Sequence, residues 1–246
     1  MDKVSEPRPV SAIEPAQAAS SNTLLAAIPD KEFALLIEDA TVVSFTARQL
    51  LYEDGDPITD VYFPLTAMVS IITRLSDGTS LEAMTAGTEA FVGLPLINGI
   101  ERHRSTGMCQ VAGEFLSIPA ASFTDTLVKA PALEAILRRY AQFAHEVVTQ
   151  SAACNGVHLI EQRCARWLLT TSDAVEKSEF KLTQEFLSQM LAVRRAGVTV
   201  AMGSLERKSL ISHRYAMVKI LDREGLKRAS CECYATIRAK ARDLLS

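Results

Sequence analysis

The chain has 246 residues, 48% of them hydrophobic and 22% charged, the balance of a globular protein with room for one large domain or two medium ones. No run of about 18 apolar residues is free of charge, which excludes a helical membrane span. The N-terminus, acidic and proline-bearing with no apolar stretch, does not read as a signal peptide, so a cytoplasmic location is expected. The net charge of −3 hides an asymmetry: residues 1–156 carry 10 Lys/Arg against 19 Asp/Glu, a net −9, while residues 157–246 carry 16 against 10, a net +6. An acidic front and a basic back suggest two domains with different partners, the basic one suited to phosphate. Five cysteines, Cys109, Cys154, Cys164, Cys231 and Cys233, make no disulfide framework. Cys231-x-Cys233 is too short and too isolated for the usual CxxC metal pattern, so reduced thiols and no bound metal are expected.

Residues 1–23, rich in Pro, Ala, Ser and Glu, show no periodicity and read as a loose tail. Leu24 to Leu36 suits short helical segments, with Pro29-Asp30 entering the second. From Thr41 to Pro119 the pattern is strands: 42–45, 51–52, 61–63, 68–75, 81–84, 107–111 and 114–118. They are punctuated by Glu53-Asp54-Gly55-Asp56-Pro57 and Ser76-Asp77-Gly78-Thr79, the second a hairpin turn. Many short strands with regular turns predict a sandwich or barrel.

The period then changes to helical. Leu133, Ile136, Leu137, Tyr140, Phe143 and Val147 belong to the strongest apolar stripe of the chain, with Pro131 at the helix start. That stripe either packs on its own β domain or pairs with a second copy. Residues 158–172 form a further helix with Leu159, Ile160, Cys164, Trp167 and Leu168 as its buried side.

Lys181 to Arg207 is the motif that points to a partner. Thr183 is a plausible N-cap for a short helix over Gln184–Met190, a turn lies around Ala192-Val193, and a second helix runs from about Arg194 to Lys208. Val198, Met202 and Leu205 recur at i, i+4 and i+7 and should face inward. The other side offers Arg194, Arg195, Gly197, Thr199, Ser204, Arg207 and Lys208. This is the pattern of a helix-turn-helix whose second helix enters a DNA major groove, where an arginine reaches guanine O6 and N7 in a bidentate fork. Thr183, Gln184 and Lys208 suit phosphate. Residues 210–221 read as a hairpin, a wing with His213 and Arg214 at its tip. Residues 224–245 form a helix-like tail.

From about Leu24 to Leu221 the chain resembles the cyclic AMP receptor/FNR (Crp/Fnr) family of bacterial transcription regulators. Leu182-Thr183-Gln184-Glu185 and Val193-Arg194-Arg195 carry the resemblance most specifically. It implies an α+β fold with an N-terminal β-roll (a cyclic-nucleotide-binding-like jelly roll) over 24–130, a long dimerisation helix over 131–156 and a C-terminal winged helix-turn-helix over 157–246. It also implies a homodimer on a palindromic double-stranded DNA operator, with RNA polymerase as a further partner and Leu133, Ile136, Leu137, Tyr140, Phe143 and Val147 at the dimer seam. On that reading a glutamate at Ile136 or Phe143 gives monomers.

The chain departs from the family at two places. Arg195 keeps the first arginine of the nucleotide-responsive activators' reading helix, but Ala196 replaces their glutamate and Val200 their second arginine, so the operator should differ. The family's phosphate cassette has a glycine-glutamate pair followed by Arg-Ser. Here Gly93-Leu94 precedes Arg104-Ser105, and a leucine cannot accept a ribose hydroxyl. A response to cyclic AMP is therefore not expected, while another small effector near Gly93, Leu94, Arg104 and Ser105 stays open. So does a protein-binding regulator without sequence-specific DNA binding. No cysteine precedes Cys109, so the N-terminal iron–sulfur cluster of one family branch is not expected. No phosphate loop, HExxH or GxSxG motif is present, and no catalytic residue or cofactor is expected.

Overall fold

The computed structural model describes Arg8–Pro9 and residues 15–243. These fall into two compact units. The first holds most of the described chain up to His145, and the second holds Ile72–Met84 with Glu146–Lys240.

In the first unit, β1 (Arg8–Pro9) pairs antiparallel with β2 (Thr41–Phe45). Between them lie α1 (Pro15–Ser21), α2 (Thr23–Ala26) and α3 (Asp30–Leu36). The loose tail expected over residues 1–23 falls partly outside the described residues, and from Pro15 it is corrected. Asn22 is fully buried and accepts from the Leu24 and Leu25 amides to cap α2. Its own amide donates 3.0 Å bonds to the Pro64 and Ala90 carbonyls. A satisfied buried amide ties this segment to the core at a point that composition does not reveal.

The strands continue as β3 (Leu50–Tyr52), β4 (Asp60–Pro64), β5 (Met68–Arg74) and β6 (Ser80–Ala86). After α4 (Leu94–Ile97) come β7 (Thr106–Val111) and β8 (Gly113–Pro119). They form two four-stranded sheets, ordered β1-β2-β8-β4 and β3-β7-β5-β6, in line with the sandwich or barrel that the strand pattern predicts and the β-roll that the resemblance implies. The β5–β6 turn uses Gly78 at φ 85°, with the Thr79 amide donating to Asp77 Oδ1 at 2.8 Å, the left-handed turn that Asp-Gly favours.

The helical stretch after the roll is two helices, α5 (Ala120–Lys129) and α6 (Pro131–Val157). Pro131 opens α6, where its missing N–H costs nothing. The next two amides, Ala132 and Leu133, donate to the Glu32 carboxylate at 3.2 and 2.8 Å, a remote cap that also answers the helix dipole. Phe91 stacks on Phe123 at 5.3 Å and meets Tyr140 of α6 edge-on at 6.4 Å. Leu133, Ile136, Leu137, Tyr140, Phe143 and Val147 are all buried within the single chain. Their assignment to a dimer seam is therefore corrected. The stripe is covered by the chain itself, the first of the two partners its periodicity allowed.

The second unit contains α7 (Ile160–Val175), β9 (Glu179–Lys181), α8 (Gln184–Met190) and α9 (Arg195–Arg207). It continues with β10 (Ile211–Arg214), β11 (Met217–Ile220), α10 (Arg223–Ala229) and α11 (Cys233–Asp243). The small sheet runs β10-β11-β9. Asp173 of α7 holds the last helices. It pairs with Arg223, accepts from Tyr234 Oη at 2.8 Å and accepts from Arg238 Nη1 at 2.7 Å. Among the described residues no helix is long and apolar enough to cross a membrane.

Candidate nucleic-acid interface and effector region

Local chemistry places α8 and α9. Thr183 caps α8, its hydroxyl accepting from the Phe186 amide at 3.1 Å, as the sequence predicted. At the other end, Arg163 of α7, buried, donates to the Leu191 carbonyl and so satisfies a C-terminal orphan of α8. Trp167 meets Phe186 edge-on at 6.2 Å and donates its indole N–H to Glu82 Oε1 at 2.9 Å. The tight turn depends on Ala192, at φ 48°, and Arg194 is the N-cap of α9.

Val198, Ala201, Met202 and Leu205 are the buried face of α9, as the i, i+4, i+7 pattern requires. The exposed face carries Arg195, Ala196, Thr199, Val200 and Arg207. Val200 is 70% exposed, an apolar side chain set among arginines. The Thr199 hydroxyl lies 2.7 Å from Gln184 Oε1 and 3.1 Å from the Arg195 carbonyl, locking the start of α8 to the start of α9. Gln184 is thus held by α9 as well as placed at the α8 N-terminus.

Of the residues expected on the exposed face, Gly197 and Ser204 are half-buried, and Lys208 is exposed but already engaged. A Cβ on Gly197 would meet Ile160 Cδ1 at 3.0 Å, so this glycine is where α9 crosses α7 closely. Lys208 is ion-paired with Glu161 of α7, and the Ser204 hydroxyl hydrogen-bonds the same carboxylate. The physical reason is angular: 197 and 204 share the helix side turned toward α7, and Lys208, the C-cap, reaches from the end of that side to Glu161 while staying exposed. Conversely, Ala196 and Val200, departures from the family pattern in sequence, lie on the exposed side across the helix from buried Val198 and Met202.

The wing is β10 and β11 joined by Tyr215-Ala216, both at positive φ (49° and 60°). Arg214 is exposed and Tyr215 fully so. His213 is not at the tip. Its ring Nε2 lies 3.3 Å from the Leu182 carbonyl and its amide donates to Glu206 Oε1 at 2.7 Å, so its imidazole is spent on structure.

In the β-roll, Gly93 adopts φ 136° and a Cβ there would meet Val61 Cγ1 at 2.6 Å, so the turn into α4 admits only glycine. Leu94 opens α4 and is half-buried, Pro95 follows without an N–H, Arg104 is exposed, and Ser105 is half-buried and hydrogen-bonded to Tyr52. Tyr52 stacks on His103 with centroids 3.4 Å apart. Burial raises the Tyr52 phenol to about 12 and depresses the His103 imidazole to about 4. Arg102 donates to the Gly55 carbonyl at 2.7 Å and so staples the 53–57 turn. No carboxylate follows Gly93 to accept a ribose hydroxyl, so these residues do not fit a cyclic nucleotide held in the family manner.

Residues 162–229 match the family model of the Crp-like helix-turn-helix domain, and residues 42–129 match that of the cyclic nucleotide-binding domain. The two matches fall on the winged unit and on the β-roll, in the family's order, and together take in more than half of the chain. The chain belongs to the Crp/Fnr family of transcriptional regulators. It is accordingly a non-catalytic, DNA-binding regulator.

Solved Crp/Fnr structures share the fold at low identity. FixK2 from Bradyrhizobium japonicum is 16% identical with a TM-score of 0.66, over 78% of this chain and 98% of that one. A putative Crp/Fnr-family regulator from Eubacterium rectale is 13% identical with a TM-score of 0.66, over 85% and 98%. CLP, described as a c-di-GMP-responsive global regulator of Xanthomonas campestris, is 16% identical with a TM-score of 0.65, over 78% and 99%. A search of curated protein sequences finds no match. Within this Crp/Fnr-family chain one more reading is corrected. Cys231 and Cys233 are not isolated, because the fold brings Cys154 and His158, distant in sequence, against them.

Proposed function

We propose that this Crp/Fnr-family chain acts as a cytoplasmic homodimer that reads a palindromic operator through α9, without cyclic AMP. The observation that carries the reading is the exposed strip Arg195, Ala196, Thr199, Val200 and Arg207 on a helix whose opposite side is buried. Arg195 supplies the guanine fork, and Val200 with Ala196 offers methyl groups to thymine C5-methyls, the contact that apolar side chains make in the major groove. Arg194, the α8 N-terminus at Thr183 and Gln184, and Arg214 of the wing contact phosphates. The operator half-site should therefore carry a guanine flanked by thymines.

Genome-wide binding-site mapping with the intact protein tests this. A two-fold motif with half-sites about one helical turn apart is expected. Binding without a shared motif would overturn it and favour the protein-binding alternative. In a shift assay at fixed salt, Arg195→Ala should cost roughly 1–3 kcal/mol on the cognate site. Val200→Ala should cost about 1 kcal/mol, through lost methyl contact. Both losses should shrink on random duplex.

The match of residues 42–129 to a cyclic nucleotide-binding domain supports a second reading, an effector at Arg104 and Ser105. Calorimetry with cyclic AMP, cyclic GMP and, because one relative is described as responsive to it, c-di-GMP separates the two readings. No heat from any of them is expected, and saturable binding by one would install the effector-responsive reading.

A further inference from the structure

In the second unit, four side chains from two distant stretches converge. Cys154 lies in the last turn of α6 and His158 directly follows that helix, its amide bonded to the Cys154 carbonyl at 3.1 Å. The i, i+4 spacing puts both side chains on one face. Cys233 opens α11, and Cys231 lies two residues before it. The three sulfurs and one imidazole nitrogen lie within 4.8 Å of one another. Cys154 Sγ is 3.5 Å from Cys231 Sγ, and Cys233 Sγ is 3.6 Å from His158 Nδ1. The three cysteines are 0%, 3% and 0% exposed and form a buried cluster of their own.

The structure assigns Cys154, His158, Cys231 and Cys233 as a tetrahedral Cys3His metal site, with Zn2+ as the ion it is built to hold. Zn–S of about 2.3 Å and Zn–N of about 2.0–2.1 Å give a tetrahedron with S···S edges of about 3.8 Å and S···N edges of about 3.6 Å. The two close pairs already stand near those separations, and the others, all within 4.8 Å, need to draw in by about an ångström at most.

Three further features separate a site from packed thiols. The imidazole turns Nδ1 toward the sulfurs while Nε2 lies 3.2 Å from Glu232 Oε1, the carboxylate–histidine arrangement that orients a metal-bound ring and fixes its tautomer. Gln150 Nε2 donates to Cys233 Sγ at 3.1 Å, an outer hydrogen bond onto a sulfur. Arg163 and Arg166 of α7 act electrostatically on Cys154, and each keeps a buried Nε without a hydrogen-bond partner. Three thiolates around a divalent ion leave one negative charge, which such cations offset. Thiolate sulfur selects zinc over hard cations, and four protein ligands leave no open position, so the site is structural. It would staple the end of α6 to the α10–α11 junction.

The test is metal analysis of the full-length protein, purified without a histidine tag and under reducing conditions. About one zinc per chain is expected, with Co2+ exchange giving the visible bands of tetrahedral thiolate coordination. Cys231→Ser should lose the ion. Glu232→Gln, at an exposed residue outside the ligand set, should keep the fold by circular dichroism and weaken zinc roughly 10–100-fold in a chelator competition. A chain that takes up neither Zn2+ nor Co2+ stoichiometrically would overturn the assignment. So would a Cys154–Cys231 disulfide in the native mass, or iron with acid-labile sulfide.

Discussion

Burial sets the protonation of His103. The ring is 4% exposed and lies against Tyr52, and desolvation depresses it to about 4, with Asp56 opposing weakly. A histidine whose folded value lies below the unfolded value near 6.5 binds fewer protons folded than unfolded. Its contribution is complete above about pH 6.5 and is lost as pH falls toward 4, on the order of 3 kcal/mol across that window. Urea midpoints taken from pH 7 to pH 4 should drop accordingly, and His103→Phe, which keeps a ring on Tyr52, should flatten the slope. An unchanged slope in the variant would show that other groups carry the acid sensitivity. Such residue-level facts were legible only where the chemistry is local. Thr183 was recognisable as a cap because its partner, Phe186, is three residues away. The place of His213 is not legible in sequence because its ring answers Leu182, 31 residues away, and neither is the surrounding of the cysteine pair, because Cys154 is 77 residues from Cys231.

At the scale of elements, the wing hairpin is built on the wrong residues for its turn. A two-residue loop with both central residues at positive φ is the type I′ geometry, which Asn-Gly satisfies and Tyr215-Ala216 does not. Each L-residue held there costs roughly 1 kcal/mol. Replacing the pair by Asn-Gly should raise the melting temperature by a few degrees. If Tyr215, fully exposed at the tip, is kept because the wing lies on DNA, the same change should weaken operator binding. Calorimetric melting and a shift assay on one variant read both effects. The long helix shows a parallel dependence on a distant group. Glu32→Ala removes the carboxylate that receives the Ala132 and Leu133 amides and should cost about 1 kcal/mol by chemical denaturation. Glu32→Gln, which retains an acceptor, should cost less. Strand positions, Pro131 and the α9 core face could be read from periodicity, which fixes which side of an element is apolar. Periodicity does not say what covers that side, so by pattern alone the α6 stripe fits two partners, and it is the contact of Tyr140 with Phe91 that distinguishes them.

For the whole molecule, the burial of that stripe moves the proposed dimer seam to the other side of α6. Ala135, Gln142, Thr149 and Gly156 recur at intervals of seven, as do Arg138, His145 and Ala152, and all are exposed in the single chain. A heptad line rich in small residues lets two helices approach closely along a two-fold axis. Ala135→Arg adds a third positive charge beside Arg138 and Arg139, and Ala152→Glu places a carboxylate on the same line. Both positions are exposed, so both variants should fold with unchanged circular dichroism yet sediment as monomers. Because a dimer sums two half-site contacts, each variant should also lose nearly all operator affinity while retaining weak non-specific binding. Ile136→Glu makes the contrasting case. It buries a charge in the β-roll core and should unfold the first unit rather than release an intact monomer. Sedimentation of both exposed-face variants as dimers, with operator binding preserved, would remove α6 from the interface.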